Sequence, residues 1–182
     1  MANGILHHSG TVYIWYPHGE QVGHAAMHIG GHKERNSNIW YVSWWPGGDS
    51  VFMENSDPKD QNWDEGRGEG GPAHVVYQLF GGNVSDMKIA WDATRTKDDS
   101  HYDLLKKSCS TIVARIIKAG GHHKFVHVAK RASYTRNLWW TPKDVAQFCN
   151  QLRDRGYATK TKSGGCPTKG ETSKLIRLVG LR

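Results

Sequence analysis

Apolar, β-branched and aromatic positions gather into three early runs, each closed by glycine or proline. Residues 11–16 (TVYIWY) predict a first strand that stops at Pro17-His18-Gly19. Residues 22–29 (VGHAAMHI) predict a second, closed by Gly30-Gly31, and residues 39–45 (IWYVSWW) a third, closed by Pro46-Gly47-Gly48. The polar stretch 30–38 joins the last two as an antiparallel hairpin. Segment 54–73 is rich in Gly, Asp, Glu and Asn without apolar period, which predicts a long exposed loop. Residues 74–80 and 87–92 predict two further strands, with Gly81-Gly82-Asn83 supplying turn chemistry between them.

The period changes after Asp98. Tyr102, Leu105, Ile112, Val113, Ile116 and Ile117 recur at helical spacing, which predicts one or two helices broken near Ser108 and stopped by Gly120-Gly121. A further helix is expected from Thr141 as its cap, Pro142 in its first turn and Asp144 three residues after the cap. Val145, Phe148, Cys149 and Leu152 form its apolar face, and Gly156 its end. The tail from 157 is rich in Lys, Thr, Ser and Gly, and residues 175–179 are expected to add a short edge strand. Together these elements predict an α+β domain spanning 1–182: sheet-rich over 10–92, helical over 98–156, with a basic tail at 157–182.

Composition narrows the classes. The 182 residues suit one domain, and 37% hydrophobic content with a mean hydropathy of −0.65 suits a soluble globular fold. The sequence contains no run of the roughly 18 apolar residues needed for a transmembrane segment, and the N-terminus lacks the pattern of a Sec-type signal. Three cysteines are too few and odd in number for a disulfide framework, so a reducing environment is expected. Net charge is +7, but the basic residues are dispersed and no nucleic-acid-binding motif accompanies them, so no specific nucleic-acid partner is expected. Eight tryptophans exceed ordinary usage and read mainly as core and rim packing. Eleven histidines invite a metal reading, yet no metal-ligand spacing is present, and the pairs His7-His8 and His122-His123 are expected to be solvated in polar turns. Asp57, Asp60, Asp64, Glu65 and Glu69 lack the order of a calcium loop and are expected to form a solvated acidic lid. No metal and no cofactor are implied.

One cysteine stands apart. A thiol becomes a nucleophile where a local field lowers its pKa, and a helix N-terminus beside a histidine supplies that field. Cys109 follows two lysines, has Ser108 or Ser110 as a cap, and directly precedes the apolar run 112–117. Cys149 lies mid-helix between apolar residues, and Cys166 has no helix dipole near it. For the base, His24 stands at the start of the second strand beside Gly23, where it can face a helix packed on the sheet. Ser43 is the small polar group in the next strand able to hold its second nitrogen, with Tyr41 as the alternative.

The order Gly23-His24-Ala25-Ala26-Met27-His28-Ile29-Gly30, then Tyr41-Val42-Ser43-Trp44-Trp45-Pro46, then Ser108-Cys109-Ser110-Thr111-Ile112-Val113-Ala114-Arg115 resembles the circularly permuted papain-like hydrolases. That group includes permuted NlpC/P60 peptidases, lecithin:retinol acyltransferase-like proteins and secreted bacterial toxins. As its permuted order requires, His24 precedes Cys109, by 85 residues. The resemblance implies a permuted papain-like fold, an antiparallel sheet packed against a few helices, with Cys109 as nucleophile, His24 as general base and Ser43 as a loosely matched orienting residue. It also implies a thiol hydrolase or acyl-transfer enzyme acting on an amide or ester in a secreted virulence effector. The expected partners are a host or target-cell protein, or peptidoglycan, together with a secretion-apparatus component. Such an effector would reside in the bacterial cytoplasm, leave without a Sec signal, as through type VI secretion, and act in the target or host cell. A second reading is an inactive member that binds a partner protein through its Trp-rich edge and the 54–73 segment.

Overall fold

The computed structural model describes residues 6–18, 21–31, 38–46, 53–57, 59–96, 101–103 and 108–167. The chain begins with β1 (His8–Trp15) and β2 (His24–Ile29). A 3₁₀ turn at Asn38–Trp40 leads into β3 (Tyr41–Val42), β4 (Trp45–Pro46) and β5 (Met53–Asp57). The short α1 (Gln61–Trp63) runs into a π-type turn at Asp64–Gly68, and β6 (Val75–Phe80) and α2 (Val84–Arg95) follow. The remainder comprises β7 (His101–Asp103), α3 (Cys109–Ala119), α4 (Val128–Arg136), α5 (Pro142–Asp154) and β8 (Ala158–Lys162).

Five strands pair in the order β3-β2-β1-β6-β8, every neighbour antiparallel, and β4-β5-β7 form a smaller antiparallel sheet. The expected hairpin is present in the register Met27↔Val42 and His28↔Tyr41. Alternation along β1 and β2 divides the interior in two. Val12, Ile14, Ala25, Met27 and Ile29 join the main core with α3 and α5, whereas Tyr13, Trp15, Ala26 and Tyr41 form a second cluster. The fold is therefore α+β, an antiparallel sheet packed against helices, as expected.

Five expectations are corrected. Residues 87–92 lie in helix α2: Met87 and Trp91, one turn apart, are buried, while Ile89 is 64% exposed. Asn83 caps that helix, its side chain accepting from Asp86 N at 3.2 Å. The expected single strand 39–45 is instead a 3₁₀ turn followed by β3 and β4, which belong to different sheets. Segment 54–73 is not an exposed loop, since it holds β5, α1 and the π-type turn, with Asp64 and Glu69 buried. His122 is likewise buried, its Nε2 3.0 Å from Ser9 Oγ and its Nδ1 3.1 Å from Ile117 O, and burial lowers its pKa to about 4. Residues 101–103 are strand, not helix.

Helix α5 carries the full capping box: Thr141 Oγ1 accepts from Asp144 N, and Asp144 Oδ2 accepts from Thr141 N at 2.9 Å. The basic tail begins with a strand, because Ala158–Lys162 pairs along β6. The expected strand at 175–179 lies outside the described residues. Among the described residues, no helix is long and apolar enough to cross a membrane.

Candidate active site

Cys109 is the first residue of α3, and Ser108 caps the helix by accepting from Thr111 N. The free N–H groups of that first turn give the sulfur a positive local field. The two lysines that precede this cap in sequence lie outside the described residues. Cys109 is 7% exposed, so little water competes for it.

His24 opens β2, and Gly23 makes that entry possible. With φ at +81°, Gly23 takes a conformation that side chains disfavour, and a Cβ there would approach Trp15 O to 2.7 Å and Pro17 N to 2.8 Å. The His24 ring is buried, stacked on Trp45 at 4.4 Å between centroids and tilted against Trp15 at 5.7 Å. The imidazole and the Cys109 thiol are close enough for each to shift the ionisation of the other. Nε2 lies 3.1 Å from Ser43 Oγ and 3.5 Å from Asp64 Oδ2.

Tyr41, Ser43 and Trp45 alternate along the chain and aim three donors at one acceptor, the Asp64 carboxylate. Tyr41 Oη donates to Oδ2 at 2.6 Å, Ser43 Oγ to Oδ1 at 2.9 Å and Trp45 Nε1 to Oδ1 at 2.7 Å. Trp45 Nε1 also lies 3.1 Å from Ser43 Oγ. Asp64 starts the π-type turn after α1, which Asp60 caps by accepting from Trp63 N at 2.8 Å. Gly68 closes the turn where a Cβ would strike both Trp45 and Trp63 at 2.9 Å.

The electrostatics follow from this packing. Burial favours the neutral imidazole, but the Cys109 sulfur and the Asp64 carboxylate outweigh it and raise the His24 pKa. Burial also opposes a thiolate, yet His24, with hydrogen bonds from Ala25 N–H and Ser110, lowers the Cys109 pKa. Asp64 is held below the usual carboxylate range: burial pushes it up, while His24, Tyr41 and Trp45 pull it down more strongly. These shifts run in the direction of a thiolate–imidazolium pair beside an ionised Asp64. Cys149 is the contrast, because its thiol is fully buried and pushed up.

A fourth group borders the site. Glu69 is 4% exposed, and neither carboxyl oxygen has a hydrogen-bond partner among the described residues. Burial, partly offset by His24 and His18, raises its pKa to about 7.

Of the residues singled out from sequence, Cys109, His24 and Ser43 come together, and Tyr41 reaches the same cluster through Asp64. Asp64, expected in a solvated lid, is instead fully buried at the centre of the cluster. A usable signal was nevertheless present, since three donors on one alternating face require a buried acceptor.

A model of the IcsB middle domain matches this chain over residues 4–67 and 49–169. A 76-residue stretch, 42% of the chain, is 33% identical to a multifunctional-autoprocessing repeats-in-toxin of Vibrio vulnificus and covers 1% of it. The protein of that name from Vibrio cholerae serotype O1 is 32% identical over 76 residues, again 42% of the chain and 2% of the toxin. The chain thus corresponds to a very small part of the curated relatives it matches. No solved structure matches it. Both matched family segments contain Asp64, the first contains His24 and Ser43, and the second contains Cys109. By that coverage the chain belongs to the IcsB middle domain family, a domain of bacterial virulence effectors.

Proposed function

We propose that this effector domain is a papain-like thiol enzyme of acyl chemistry. The Cys109 thiolate adds to the carbonyl of an amide or ester, and the Cys109 backbone N–H stabilises the oxyanion. Collapse breaks the bond to the leaving group, which takes its proton from the His24 imidazolium and leaves a Cys109 thioester. A second nucleophile then gives its proton to His24 and accepts the acyl group, restoring the thiol. Water in that role makes the protein a hydrolase, and an acceptor group makes it an acyltransferase. Asp64 positions His24 and stabilises its charged form, and Ser43 bridges the two.

The observation that carries this reading is the buried sequence of thiol, imidazole and carboxylate, with Nε2 of His24 3.5 Å from Asp64. Relatedness to effectors and toxins supports delivery out of the bacterium and a substrate in a host or target cell, as a protein, a lipid ester or peptidoglycan.

The test needs no known substrate. Limiting iodoacetamide at pH 6 to 7, read by peptide mass spectrometry, is expected to modify Cys109 at least tenfold faster than Cys149. An activated p-nitrophenyl acyl ester is expected to leave an acyl mass on wild type but not on Cys109→Ala. A Cys109 no more reactive than Cys149, with no acyl adduct, would refute catalysis and leave partner binding as the reading.

A further inference from the structure

The side of α5 turned toward β8 is a second place where charge gathers. Lys143, Gln147 and Asn150 recur at helical spacing, while Lys160 and Lys162 are two apart on the strand, and all five line one concavity of about 320 Å³. Among the described residues, no Asp or Glu lines it. Lys160 Nζ donates to Asn150 Oδ1 at 3.0 Å, and Tyr77 Oη donates to the same oxygen at 2.9 Å. Both bonds spend the carbonyl of Asn150 and leave its amide N–H groups as donors beside the lysines. Burial, with Lys162 and Arg153 adding like charge, lowers the Lys160 pKa.

We propose that this concavity is a binding site for a phosphate group carrying at least two negative charges, such as a phosphomonoester or pyrophosphate. Three ammonium groups exceed what a single carboxylate would neutralise, and ammonium and amide donors from two elements suit the several oxygens of a phosphate. The ligand relieves the mutual repulsion of the lysines and replaces their water. Its source is a soluble phosphate compound or a phosphorylated lipid headgroup. Tyr16 lies on the rim of the site. Binding there does not depend on the chemistry of Cys109.

The test uses the full chain and pyrophosphate at fixed ionic strength. Pyrophosphate is expected to slow acetylation of Lys143, Lys160 and Lys162 by a water-soluble acetylating reagent at least fivefold, while Lys130 on α4 is unaffected. The triple variant K143Q/K160Q/K162Q is expected to bind pyrophosphate at least tenfold more weakly by calorimetry with its Tm retained. Cys109→Ala is expected to bind as wild type does, which separates this proposal from the enzymatic one. Vesicles of phosphatidylcholine with phosphatidylinositol 4-phosphate identify the source: co-sedimentation that pyrophosphate displaces indicates the headgroup, and none indicates a soluble ligand. Protection spread equally over Lys130, or no protection, overturns the proposal whatever the vesicles do.

Discussion

Replacing Asp64 by Asn removes one charge while nearly preserving shape, so it isolates what the carboxylate does for His24. At 3.5 Å the attraction between the carboxylate and imidazolium is about 5 kcal/mol for an effective dielectric near 20. Asn recovers part of it through its dipole, which leaves a fall in the His24 pKa of about 1–3 units. The hydrogen-bond pattern makes matters worse. Trp45 N–H cannot reverse, so the Asn oxygen must face Trp45 and Ser43, and its NH₂ then faces Tyr41 Oη and the His24 Nε2 side. Tyr41 can turn its hydroxyl to accept, but imidazole can accept only by giving up the Nε2 proton. That places its proton on Nδ1 and leaves neither ring nitrogen free as a base. The ratio of thiolate to thiol near pH 6 to 7 should therefore fall about tenfold to a thousandfold. The iodoacetamide rate of Cys109 as a function of pH reads this directly, with circular dichroism as the folding check. A folded Asp64→Asn protein whose Cys109 rate profile overlays that of wild type would refute the role given to Asp64.

Ser43→Ala leaves Asp64 and Trp45 in place, so the Cys109 alkylation rate near neutral pH should fall only about tenfold, the worth of one or so net hydrogen bonds. A loss as large as that of Asp64→Asn would make Ser43 the principal orienting group. Glu69 supplies a stability test. Its folded pKa of about 7 exceeds its ordinary 4.5, so the folded state holds a proton that the unfolded chain has released between those values. Stability should fall as pH rises from about 4.5 to 7, by up to about 3 kcal/mol, and Glu69→Gln should remove that part of the slope. Parallel Tm–pH curves for the two proteins would contradict it. Thr141→Ala breaks the capping box of α5 and should cost about 1 kcal/mol, a Tm loss of about 2–4 °C by thermal denaturation.

The parts of this fold that can be read from sequence are those whose cause is local. Thr141, Pro142 and Asp144 specify a helix start within four residues, and α5 begins there. The β-branched and aromatic run that ends at Pro17-His18-Gly19 specifies β1 in the same way, and Gly30-Gly31 closes β2. Helix α2 misleads because Met87, Ile89 and Trp91 alternate as a strand would over a short window. Only the burial of Met87 and Trp91 against exposed Ile89 reveals a repeat of four, and burial is a property of the assembled core.

The same distinction runs through the candidate site. Cys109 is legible because a helix N-terminus is a local field: Ser108 as cap and an apolar run behind it suffice. His24 is legible less directly, as a polar residue beside a glycine that must adopt positive φ where β2 meets the end of β1. Asp64 is not legible in its own neighbourhood, since Trp63, Glu65 and Gly66 read as loop. What keeps it buried and charged is Tyr41, Ser43 and Trp45, about twenty residues earlier, whose three donors have no other common acceptor. Burying a carboxylate costs several kcal/mol, and here three neutral donors and an imidazolium offset it. The carboxylate that joins Cys109 in favouring a charged His24 is thus visible in sequence only as the partner its donors lack, one hydrogen bond beyond Ser43.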